Sequence, residues 1–161
     1  KGANAPLTRS AGGKESPQTP LFRLETEMTI ESFQGEYRWL SNFWPVHGST
    51  AEHQYQARKT LDPRQRERIL NASTPYAAKK MARSIALRPD WNEVRVPLMA
   101  SVIKWKFTDA ALAQKLLATG EQNIVEGNAW GDTFWGVCRG VGENHLGEIL
   151  MAQREYLRLR S

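Results

Sequence analysis

Between Ile30 and Trp44 apolar and aromatic side chains crowd together, with Ile30, Phe33, Tyr37, Trp39, Leu40, Phe43 and Trp44. That density predicts one or two short strands, with Gly35 at a turn. Residues 49–60 change the pattern and read as a short helix. Ser49 and Glu52 fit a capping box, in which hydroxyl and carboxylate satisfy each other's free backbone N–H groups. At about 100° per residue, Glu52, Gln56 and Lys59 share one narrow stripe. Asp62-Pro63 and Thr74-Pro75 are two further helix starts, a capping side chain followed by proline, and these helices run to about Asn71 and Ile85. Asp90-Trp91-Asn92-Glu93 opens a longer helix to about Phe107. It carries Val94, Leu98, Val102 and Trp105 at core spacing, with Pro97 delaying its regular start. Residues 110–119 form another helix, stopped by Gly120. A short strand at 123–126 and a loop rich in glycine and rings at 127–137 follow. Gly142-Glu143-Asn144 then caps a last helix bearing Leu146, Ile149, Leu150, Arg154 and Leu157. The fold class is therefore mainly α: a single compact multi-helix domain with one or two short strands.

The first 28 residues stand apart. They are rich in Gly, Ser, Thr and Pro and lack apolar periodicity, so they read as a flexible arm or linker before a domain at 29–161. Residue 1 is Lys rather than Met, which leaves room for an upstream segment or a tag, and no signal-peptide pattern opens the chain. The 161 residues are 40% hydrophobic with six Trp, enough for one real core. No apolar run approaches the roughly 20 residues that span a bilayer. Cys138 is the only cysteine, so no internal disulfide forms, which fits a reducing, cytoplasmic setting. The net charge of +5 is compatible with a phosphate-bearing partner, nucleic acid included, and equally with a basic globule that has none.

The inventory narrows the chemistry. His47, His53 and His145 are not at metal-ligand spacing, and no nucleotide-binding glycine motif occurs, so no metal or cofactor is expected. What remains is carboxylate and amine: Glu52, Asp132 and Lys59, with Trp91, Trp130 and Trp135 as candidate ring walls. Each has a plainer reading. Glu52 closes a cap, Lys59 is a solvated helix-end cation, Trp91 plugs the core, and Ser41-Asn42 makes a local turn instead of holding a sugar or phosphate. Lys79, Lys80 and Arg83 form a solvated face or a phosphate contact. Carboxylates beside stacking rings suit cleavage of a bond between a sugar and a base. The transition state has oxocarbenium character, and the leaving base needs a proton. A lysine with a depressed pKa offers a second route, a Schiff base with the opened ribose.

Taken together these residues resemble the NADAR (NAD- and ADP-ribose-associated, YbiA-like) family over about Phe33 to Leu157. The resemblance rests on Leu40-Ser41-Asn42-Phe43, on Glu52-His53-Gln54-Tyr55-Gln56-Ala57-Arg58-Lys59 and on Pro89-Asp90-Trp91. It continues through Gly131-Asp132-Thr133-Phe134-Trp135-Gly136 and Gly142-Glu143-Asn144-His145-Leu146-Gly147. It implies a mainly helical N-glycosidase acting on one of two substrates. One is ADP-ribosylated guanine in nucleic acid; the other is a phosphoribosyl aminopyrimidine of riboflavin synthesis. A non-catalytic ADP-ribose-binding module is the third possibility. The family's functional positions fall on Glu52, Trp91, Asp132 and Trp135. Its ribose-attacking lysine falls on Lys59, with Lys106 as the alternative. Ser41, Asn42, Gln56 and Asn144 join Trp91 and Trp135 as expected substrate contacts. One departure is the spacer from Phe43 to Glu52, which is shorter than the hairpin insertion usual in relatives and bears on the rim of the pocket.

Overall fold

The computed structural model describes residues 29–161, so the 1–28 arm lies outside the described residues. Six α-helices carry the fold: α1 (Ala51–Ala57), α2 (Pro63–Leu70), α3 (Pro75–Met81), α4 (Trp91–Lys106), α5 (Ala110–Ala118) and α6 (His145–Arg158). Six two-residue strands pair as three small ladders. β1 (Thr29–Ile30) lies parallel to β4 (Asn123–Ile124), and β5 (Gly127–Asn128) lies parallel to β6 (Val137–Cys138). β2 (Pro45–Val46) and β3 (Ser49–Thr50) form an antiparallel hairpin. The short spacer between Phe43 and Glu52 thus closes into a hairpin of its own. Its His47-Gly48 turn has φ of 53° and 70°, the left-handed pair that a two-residue hairpin turn requires.

The main core gathers Leu40, Val102, Ile103, Phe107, Ile124 and Leu150, all essentially inaccessible, and ties α4, α5 and α6 to the edge ladder. A smaller cluster of Ala57, Ile69, Ala78 and Ala82 seats α2 and α3 against α1. Small side chains there let three short helices approach closely. None of the three is long enough to be stable alone, so packing holds them.

Several local expectations are corrected. Residues 35–40 form a 3-10 helix, not a strand. Trp39 and Leu40 are buried by its tight turn, so the aromatic crowding reflected core contacts rather than a pleated face. The α1 cap is Thr50, whose hydroxyl accepts from the His53 N–H, and the Ser49–Glu52 capping box does not form. His53 completes this lock. Its Nε2–H donates to the Ala72 carbonyl at 2.9 Å, which leaves Nδ1 to accept from Thr50 Oγ1 at 2.8 Å. Asp90 makes no side-chain cap on α4, because both its oxygens bind the Arg88 guanidinium at 2.6 and 2.9 Å. Pro97 sits inside α4, which is already helical from Trp91. On that helix Met99, Val102 and Ile103 are buried, while Val94, Leu98 and Trp105 are only partly so.

Candidate active site

Glu52 is the centre of the site. With no cap to close, its carboxylate turns inward from the first turn of α1 and is 6% exposed. Its backbone N–H donates to the Asn42 carbonyl at 2.9 Å, which joins the helix start to the Ser41-Asn42 loop. Gln56, one turn on, donates from Nε2 to Glu52 Oε1 at 2.7 Å. Burial pushes the Glu52 pKa up, against the opposing pull of the Gln56 hydrogen bond and of Lys79 and Lys59. Lys59 lies just past the helix end, half-buried, with Nζ 5.6 Å from the Tyr55 ring centre and 5.7 Å from that of Trp91. Burial lowers its pKa, Glu52 works against that, and Lys79 and Arg83 add to it. The stripe read from the sequence is therefore one wall of a cleft of about 780 Å³, lined by Glu52, Gln56 and Lys59 together.

The facing wall comes from the glycine-rich loop and β5. Asp132 Oδ1 accepts the backbone N–H groups of Phe134 and Trp135 at 3.1 and 2.9 Å, which folds the loop around the carboxylate. Asn128 braces it from behind. Its Nδ2 donates to the Asp132 carbonyl, and its Oδ1 accepts from the Asp132 N–H. Glu126 lines the same cleft. Its pKa is pushed up to about 7, first by burial and then by the negative charge of Asp132. Gly136 makes room for it, since any Cβ there would run into the Glu126 carboxylate and carbonyl. Trp135 completes the wall, edge-on to Tyr55 with ring centres 5.5 Å apart.

Ser41 and Asn42 line the cleft as well. Ser41 also makes its local turn, accepting the Phe43 N–H at 3.1 Å. Asn42 Oδ1 and Gln56 Oε1 are buried and accept no hydrogen bond within the protein. Two orphaned acceptors in one polar cleft are an invitation to donors on a ligand. Lys79 and Arg83, from α3 and the turn after it, bring cations to the lining.

Two expected contacts, Trp91 and Asn144, and the alternative nucleophile Lys106 lie off the cleft lining. Trp91 is 8% exposed and tilted against Tyr55 at 5.3 Å, behind the cleft wall rather than on it. Asn144 is a clip: Oδ1 accepts the Glu126 N–H and Nδ2 donates to the Ile124 carbonyl, both at 2.9 Å. It fixes the chain that carries Glu126 and is not in the lining. Lys106 is 0% exposed, with Nζ donating to the carbonyls of Leu40 and Ser41 at 3.2 and 2.8 Å. It holds the loop floor, and burial drives its pKa down to about 7. Sequence reading gave no role to Glu126, a lone acid just before β5, or to Tyr55, hidden between the polar residues of the stripe. Among the described residues no group of three His, Cys, Asp or Glu side chains is placed to hold a metal ion. No helix among them is long and apolar enough to cross a membrane.

A helical domain with a buried acid, a desolvated amine and a ring-walled cleft has the make-up of an enzyme that works on a sugar–base bond. Residues 27–158 match the NADAR domain, and the chain belongs to that family. It is 37% identical over 144 residues to N-glycosidase YbiA of Escherichia coli, covering 83% of this chain and 89% of that protein. The NMR structure of E. coli YbiA superposes with a TM-score of 0.72 at 38% identity, over 82% of this chain and 84% of that one. A riboflavin biosynthesis protein of Vibrio vulnificus is 38% identical over 130 residues, which is 74% of this chain but 35% of that longer protein. The class so defined is that of hydrolases acting on N-glycosyl bonds.

Proposed function

We propose that this protein hydrolyses the bond between a base and C1′ of a phosphorylated ribose, and that its substrate is ADP-ribosylated guanine in nucleic acid. The observation that carries the reading is the pairing of Glu52 with the half-buried Lys59 on one cleft wall, opposite Glu126 and Asp132. Asn42 Oδ1 and Gln56 Oε1 suit ribose hydroxyls, and Lys79 and Arg83 suit the diphosphate. Ring opening exposes C1′ to the Lys59 amine, which bonds to it as the base nitrogen departs with a proton from a carboxylic acid. Water then hydrolyses the imine and returns the free amine. Glu52 and Glu126, both with raised pKa, are the proton carriers. Asp132 steadies the positive charge that develops at the sugar.

Charge favours the nucleic-acid form of the substrate. Between Arg58 and Arg88 lie nine Lys or Arg and only Asp62 and Glu67, a net of +7 against +5 for the whole chain. That basic segment includes Lys59, Lys79 and Arg83 of the cleft lining and would draw a polyanion toward it. The likeness to a riboflavin biosynthesis protein favours a second reading, hydrolysis of a phosphoribosyl aminopyrimidine. The test is to give the purified protein both substrates, a guanine-ADP-ribosylated oligonucleotide and the aminopyrimidine phosphoriboside. Release of ADP-ribose from the first, with kcat/KM well above the second, supports the proposal. Turnover of the aminopyrimidine alone rejects it in favour of the second reading.

A further inference from the structure

A second groove, of about 580 Å³, runs beside the catalytic cleft and shares Gln34, Gly127 and Trp130 with it. Trp130 stands between the two, 66% exposed, and packs against no other ring among the described residues. An indole left this bare costs apolar hydration, and its flat face is a platform for another flat group. Arg139 lines the groove but not the cleft, is exposed, and carries no ion pair among the described residues. It is held at φ 52°, a left-handed conformation unusual for arginine. Glu31 adds one carboxylate to the same lining. The groove thus offers a stacking face, a single cation and an acceptor for an amino edge. Those are the parts of a nucleotide: base face, one phosphate and exocyclic amine. A diphosphate is better matched by the paired Lys79 and Arg83 of the main cleft, which the groove lacks.

We infer that this groove is a subsite for the nucleotide adjoining the modified base, which stacks on Trp130 and places its phosphate against Arg139. The inference rests on the nucleic-acid reading above. It makes the protein a reader of strand context as well as of the modification, because a neighbouring base is bound while the modified one is cleaved.

Two substrates separate the subsite from the catalytic cleft: ADP-ribosylated guanosine monophosphate, and the same modified guanine inside a trinucleotide. Arg139→Asn removes the cation and suits the left-handed backbone. It should raise KM for the trinucleotide about two- to fivefold at low salt and leave the mononucleotide within twofold. Trp130→Ala should raise the trinucleotide-to-mononucleotide KM ratio by about 5- to 150-fold, and Trp130→Phe should restore most of it. Equal changes on both substrates, or none on either, would overturn the subsite. If the wild type cleaves neither substrate, the function reading falls, and the groove is then judged by binding of unmodified trinucleotide against guanosine monophosphate. Tighter trinucleotide binding that both variants weaken would uphold the subsite; binding that neither weakens would overturn it.

Discussion

Replacing Lys106 by methionine tests the least exposed charge in the fold. The side chain keeps its length but loses the two hydrogen bonds to the Leu40 and Ser41 carbonyls. Burial brings the lysine pKa to about 7, against ~10.4 for a free lysine. A basic group depressed in this way binds its proton in the unfolded chain before it does in the folded one. Folding is therefore penalised below pH 7, where both states are charged, and the penalty lifts as pH climbs from about 7 toward 10.4. The full shift corresponds to about 5 kcal/mol, a ceiling because the two carbonyls solvate the ammonium. Between pH 6.5 and 9.5 the same linkage gives about 3 kcal/mol. Urea unfolding of wild type and Lys106→Met at those two pH values measures it. The stability of the wild type relative to the variant should rise by up to that amount, the other titrating groups cancelling in the comparison. A difference that stays flat or shrinks across the window would show that Lys106 remains an ammonium throughout, and would refute a desolvated amine at this position.

The remaining predictions concern the cleft. Borohydride added during turnover should trap an adduct on Lys59; Lys59→Arg should abolish both trapping and turnover, since a guanidinium keeps its proton, and an adduct on Lys106 would move the role there. Glu126 is protonated below about pH 7, so kcat/KM should fall as pH rises through that value; Glu126→Gln should flatten this limb and cost roughly 10²- to 10⁴-fold in rate, and an unchanged limb would assign the proton elsewhere. Trp91→Ala should destabilise the fold by about 3–5 kcal/mol, read by denaturant unfolding, while Trp91→Phe should leave substrate affinity nearly unchanged; a large loss of affinity with intact stability would return Trp91 to the binding wall.

The parts of this site that were legible in sequence are those a helix arranges. Glu52, Gln56 and Lys59 are one turn or so apart, and 3.6-residue periodicity puts them on one side whatever the tertiary context. The helices starting at Pro63 and Pro75 announced themselves in the same way, through a cap and a proline. Glu126 was opaque because its position depends on long-range pairing. β5 must run parallel to β6, Asn144 must bridge from eighteen residues away, and Gly136 must yield space. No local pattern encodes any of these. Asn144 misled for a related reason: an amide that clips two strand carriers has the same chemistry as one that holds a sugar. The aromatic run at 33–44 misled because ring density suits a strand, whereas here the rings of a 3-10 turn are drawn into a core built by α4.

The short strands therefore matter more to the chemistry than their two-residue lengths suggest. Helix α1 and the turn that ends it bring Glu52 and Lys59, but one element reaches the cleft from one side only, and a sugar flanked by a base and a nucleophile needs groups on opposite faces. The β5–β6 ladder supplies the second face, carrying Glu126 at its edge and Asp132 in the loop it closes. Three carboxylates then converge on one cleft, where mutual repulsion makes simultaneous ionisation costly. The protein resolves this unequally. Asp132 is given two backbone N–H donors, whereas Glu52 and Glu126 are buried until their pKa values rise. One acid is thereby engaged by backbone donors, and the two with raised pKa fit the proposed role of proton carriers. Two proton carriers are what a path through ring opening, base departure and imine hydrolysis calls for.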